Sequence, residues 1–78
     1  MRDIGVDCLF EEDGTVRVRR IAVRGKWEGV EQGRQWQDEE GRHVLVMRHG
    51  ATVQEIVLAP ETLRWEIKPA IGGQARAV

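Results

Sequence analysis

The sequence predicts a small all-β domain, an antiparallel meander closing into a strongly bent sheet or SH3-like barrel. Three observations carry this reading. Turn residues recur at short intervals, several runs alternate apolar with polar residues, and in two of those runs the alternation changes step. With 78 residues there is room for one domain, and a chain this short buries only roughly 60% of the surface its unfolded form exposes. The ordered core is expected over about residues 6–68, with 69–78, rich in glycine and small residues, as a fraying tail.

The first strand is expected at 6–10, VDCLF, ending at EEDGT, where Asp13-Gly14 supplies the positive φ angles of a tight hairpin. A long strand follows at 15–26. Within TVRVRRIAVRGKW, Val16 and Val18 fall on even positions, whereas Ile21, Val23 and Trp27 fall on odd ones. One extra residue at Arg19-Arg20, a β-bulge, would return all five to the core face. The stretch EGVEQGRQWQDEE, broken by Gly29 and Gly33, reads as a mobile loop, with a short sixth strand allowed around 34–38. Gly41 and Gly50 then bracket a strand at 43–49 whose run HVLVMR is apolar on both faces, so that one face meets another surface or a second copy. A strand at 52–59 changes parity between Val53 and Ile56, which places a second irregularity near Gln54-Glu55. Beyond the bend at Pro60 the last strand, 63–68, sets Leu63, Trp65 and Ile67 on one face and Arg64, Glu66 and Lys68 on the other.

Charge and cysteine content narrow the function classes. Twelve basic and thirteen acidic residues leave a formal charge of -1, so the molecule as a whole exerts no attractive field on phosphate backbones or anionic lipid. The single cysteine, Cys8, excludes an internal disulfide and favours a reducing compartment. No apolar run approaches the roughly 20 residues of a membrane helix, and MRDIGVDCLF lacks the pattern of a secretory signal. A soluble cytoplasmic protein is the expectation.

The chemical inventory argues against catalysis. The chain has no serine, tyrosine or asparagine, so Cys8 alone could serve as a covalent nucleophile, and beside Leu9 and Phe10 it reads as a packed small hydrophobe. His43 and His49 are six residues apart, about 20 Å along a strand, too far to share an ion; they read as polar residues where a strand meets its turns. The acidic groups Glu11, Glu12, Asp13 and Asp38, Glu39, Glu40 read as solvated hairpin ends. Gly25-Lys26 lacks the glycine of a phosphate loop, because that position is Arg20. The expectation is therefore no catalytic residue, no cofactor and no metal.

Binding remains. Arg17, Arg19, Arg20, Arg24 and Lys26 place five of the twelve basic residues within ten positions, and Trp27 ends the run. Arginines on a curved strand beside aromatic rings suit a single-stranded nucleic acid, whereas pairing across strands with Glu28, Glu55 or Glu66 would cancel the patch. A bulge that split the run would point Arg17 and Arg19 one way without Arg20 and Arg24. Trp27 and Trp65 are expected in the core; Trp36, in a polar segment, is open to either role.

The order VRVRRI, Trp27, QGRQW, GRHVLV, LRWEI is similar to a family of short uncharacterised bacterial β domains, some carried at the ends of error-prone DNA polymerases. The resemblance covers roughly residues 10–68. It implies a small β domain without assigned activity and an association with DNA repair, and it carries over no catalytic residues. The resulting expectation is a non-catalytic module for protein interaction or self-association. The alternative is a nucleic-acid-binding accessory domain using Arg17, Arg19, Arg20, Arg24 and Lys26, with Trp36.

Overall fold

The computed structural model describes residues 2–48 and 52–68. The strands are β1 (Arg2–Phe10), β2 (Val16–Val23), β3 (Lys26–Gly29), β4 (Glu31–Asp38), β5 (Gly41–Arg48), β6 (Thr52–Leu58) and β7 (Trp65–Ile67). All pairings are antiparallel, in one sheet ordered β3-β2-β1-β7-β6-β5-β4, and no helix occurs among the described residues. None is therefore long and apolar enough to cross a membrane. The expected tail at 69–78 and His49 lie outside the described residues.

The sheet curls until β4, at one end of the order, lies beside β2 near the other. The seam between them is closed by side chains. Gln35 accepts from the Val16 amide at 2.9 Å and donates back to the Val16 carbonyl at 2.7 Å. Gln32 donates to the same carbonyl at 2.9 Å and accepts from the Val18 amide at 2.6 Å. Where β3 passes into β4, the Val30 amide donates to the Arg19 carbonyl. Backbone groups of β2 that would otherwise lack partners are satisfied in this way, as buried amides require. Inside the curl, Val16, Val18 and Ile21 of β2 meet Val44 and Val46 of β5, Ile56 of β6 and Ile67 of β7.

The first bulge lies where the parity change puts it. Asp7 faces Arg20 and Cys8 faces Val18, so Arg19 is the extra residue in β2. The second does not exist: β5 and β6 pair without interruption from Arg42 and Leu58 to Arg48 and Thr52. Gln54 holds the inward position opposite Val46 and is buried, bonded to the Arg48 guanidinium. A polar residue on the core side mimicked a change of step. β4 carries the sheet's other irregularity, a register shift between Gln32 and Gln35.

Three further expectations are corrected. The long strand ends at Val23, because Arg24 and Gly25 form a two-residue hairpin turn, both with positive φ (57° and 78°), and β3 returns along β2. The segment read as a mobile loop is the end of β3 and all of β4, and the short strand allowed around 34–38 is the second half of β4. Leu63 does not share the core face with Trp65 and Ile67: it lies before β7, has φ 59° and is 71% exposed.

Candidate functional site

The outward face of β1, β2 and β3 gathers the arginine run. On β2 the inward residues are Val16, Val18 and Ile21, and the bulge leaves Arg17, Arg19 and Arg20 all exposed. The bulge thus unites these three arginines instead of splitting them, because the inserted residue faces solvent with its neighbour. Ala22 pairs with Gly5 on one side and Trp27 on the other, so the Trp27 ring lies across the sheet over Gly5. A Cβ at Gly5 would meet Ala22 at 3.3 Å and the indole at 3.4 Å; the missing side chain makes the bed for the ring. Arg20 stacks on that ring, 5.3 Å from its centre, and its Nε donates to Asp7 at 3.0 Å. Trp27 is 50% exposed, so its expected place in the core is corrected: it belongs to the outward face. Leu9, opposite Arg17 on the same face, is also exposed.

Two of these arginines have ion partners. Arg17 pairs with Glu11 at 3.0 Å and Arg20 with Asp7. Two of the three carboxylates expected to cancel the run are engaged elsewhere: Glu28 takes both Nε and Nη2 of Arg48 at 3.0 Å, and Glu55 binds His43 and Lys68; the third, Glu66, stands on β7 opposite Asp3 and Val57. Arg24 and Lys26 are exposed at the β2–β3 turn. Trp36 is not part of this surface. It stands on β4, pairs with His43 of β5 and stacks on its imidazole, ring centres 5.0 Å apart and 2° from parallel.

Around that imidazole the structure assembles a cluster that sequence reasoning had dissolved into turns. His43 is 2% exposed, although it lies on the outward side of β5. Its Nδ1 is 2.5 Å from Glu55 Oε2, its Nε2 2.8 Å from Asp38 Oδ1 and 3.6 Å from Glu40 Oε1. Lys68 joins Glu55 at 3.1 Å to Glu40 at 3.3 Å. The His43 hydrogen bond holds the Asp38 carboxyl below the usual carboxylate range, and Glu55 first, then Glu40, raises the Lys68 ammonium above its ordinary value. The reading of His43 as a polar turn residue is therefore corrected by its burial, whereas Asp38 and Glu40 are exposed at the hairpin end, as expected, and from there reach the imidazole. The signal was the hairpin DEEGRH. In a two-residue hairpin Asp38 faces Gly41, which sets Trp36, Asp38 and His43 on one side of the pleat.

Cys8 points inward with Val6 and Val18 and packs against the core. Burial, with a smaller contribution from Asp7, pushes its thiol up, away from the thiolate that attack requires. An open cleft beside the seam is lined by Glu11, Glu12, Asp13, Arg17, Gln32 and Gln35, with Thr15 and Val16, a trough that is mostly polar.

No family model, no curated protein and no solved structure matches the chain.

Proposed function

We propose that this chain is a non-catalytic protein-interaction module that docks its partner on the outward face of β1, β2 and β3. The observation that carries the reading is the half-exposed Trp27, laid over Gly5 and capped by Arg20, beside exposed Arg17, Arg19 and Leu9. Tryptophan and arginine are the residues on which binding energy concentrates at protein interfaces, and apolar neighbours ringed by charge exclude water from them. The surface fits a partner that is apolar at its centre and acidic at its rim, a second copy of this chain included. The raised Cys8 thiol and the absence of serine and tyrosine support a role without covalent chemistry.

A photo-crosslinking residue at Leu9 is expected to yield a discrete protein adduct in cells of the native source, and Arg20→Glu to abolish it. Adducts spread over many proteins, or unaffected by Arg20→Glu, would sink the proposal.

Nucleic acid is the second reading, favoured by the cation stacked on an indole and by the association with DNA repair that the family resemblance implies. The pairing of Arg17 and Arg20 with carboxylates and the formal charge of -1 weigh against it. Fluorescence anisotropy with single-stranded DNA or RNA at low salt is expected to show nothing tighter than about 10 μM. Sub-micromolar affinity that falls steeply with salt would make it the better reading.

A further inference from the structure

We infer that Asp38, Glu40 and His43 form a site for a divalent transition ion of the zinc class on the outward side of the β4–β5 hairpin. Their ligand atoms converge: Nε2 lies 2.8 Å from Asp38 Oδ1 and 3.6 Å from Glu40 Oε1, and all three fall within 4.8 Å of one another. Around an ion with bonds of about 2.0–2.1 Å, ligand atoms sit roughly 2.9–3.4 Å apart, so small movements of the two carboxylates complete the arrangement. Those side chains are 45% and 62% exposed, which leaves them free to adjust and gives the ion a path in.

The imidazole is the anchor of the site. It is 2% exposed, its Nε2 faces both exposed carboxylates, and its Nδ1 is engaged by Glu55 on the other side. Three carboxylates, Asp38, Glu40 and Glu55, meet around it against one ammonium, Lys68, an excess of negative charge that a dication offsets. Behind the ligands, Glu55 fixes the tautomer that presents Nε2, Lys68 ties Glu55 to Glu40, and Trp36 holds the ring plane. Carboxylates placed behind a ligating histidine in this way orient the ring and raise its basicity. One imidazole and two carboxylates suit zinc or cobalt and leave at least one position for solvent.

The test uses the full chain, stripped with a chelator and titrated with Zn2+ by calorimetry at neutral pH. One equivalent is expected to bind with a Kd of about 10 μM or tighter. Co2+ should bind competitively and show visible d–d absorption. The double variant Asp38→Asn, Glu40→Gln changes only exposed side chains; circular dichroism verifies its fold, and its affinity should fall by at least about tenfold. Glu55→Gln, a positioning change, should weaken binding by about 10- to 100-fold and shift the Nδ1–H proton resonance. His49→Gln should bind as the parent does. No saturable Zn2+ binding by the parent, or binding unchanged in the double variant, would overturn the site. So would nitrogen NMR showing both ring N–H protons retained at saturating Zn2+, since Nε2 would then offer the ion no lone pair.

Discussion

A methyl group added at Gly41 would sit 2.0 Å from the Leu58 carbonyl oxygen, and the residue's φ is +130°, so the β4–β5 hairpin admits only glycine there. Gly41→Ala is expected to cost about 3 kcal/mol in urea denaturation, through backbone strain and collision. An unchanged midpoint would mean the turn has room to relax. Arg24 poses the opposite case. It occupies the left-handed region, which asparagine tolerates better than arginine, so Arg24→Asn should stabilise by about 0.5 kcal/mol while removing a charge from the β2–β3 turn. Asp13 sets a pH dependence. Its carboxylate accepts from the Thr15 amide at 3.0 Å and hydroxyl at 2.7 Å, the amide bond first among the causes that hold it below 3.8. A carboxyl depressed in the fold contributes stability that is present above its unfolded value and is lost as pH falls through the lowered folded value. Urea midpoints of the parent should therefore decline as pH drops below 3.8 more steeply than those of Asp13→Asn, which keeps the acceptor and cannot ionise. Parallel curves would show that the turn does not sense its charge.

Among elements, β7 is three residues long and joins β1 to β6, so its anchoring depends on few side chains. Trp65 faces Ile4 on one side and Leu58 on the other and packs on the core. Trp65→Ala should cost about 3 kcal/mol, less than for a fully buried indole because Trp65 is only half-buried, and a loss under about 1 kcal/mol would place it among the surface residues. Strands whose inward residues are aliphatic were legible in the sequence: β2 up to Val23, β5, β6 and the Asp13-Gly14 hairpin all stand near their expected places. The bulge at Arg19 was legible for the same reason, since a parity change among valines and isoleucines reports the pleat directly. What escaped shares one cause. Gln32, Gln35 and Gln54 turn inward, and a strand that spends glutamines on its inner side does not alternate in hydrophobicity. The full extent of β4, of which only 34–38 was allowed as a strand, was hidden by two of them, and the second bulge was invented by the third. The histidine cluster was hidden differently: its members are 17 residues apart from Asp38 to Glu55, and only the β5–β6 register, which sets Leu45 opposite Glu55, brings Glu55 under His43.

At the scale of the molecule, a formal charge of -1 conceals two unlike sides. The outward face of β1, β2 and β3 carries Arg17, Arg19 and Arg20 against Asp7 and Glu11, while that of β4, β5 and β6 gathers Asp38, Glu40 and Glu55 against Lys68. Head-to-tail contact between copies is the arrangement such sides favour. Light scattering at two concentrations is expected to show mass above that of one chain at low salt, falling back as salt is added. The apolar run on β5 makes a contrasting contribution. Leu45 and Met47 are half-buried outward and Val53, opposite Met47, is exposed, so association that grows with salt would assign the contact to them and not to the charged sides.

The glutamine seam has a consequence for solubility. A sheet that curls without closing offers two bare rows of amides and carbonyls, each a template on which another chain can extend a β-ladder. Here Gln32 and Gln35 occupy the backbone groups of Val16 and Val18 from within the same molecule. Replacing both by leucine would keep the apolar inside of the curl and uncover those rows. The variant should lose little secondary structure when dilute yet form fibrillar precipitate when concentrated, so that two side-chain amides stand between a discrete domain and a polymer.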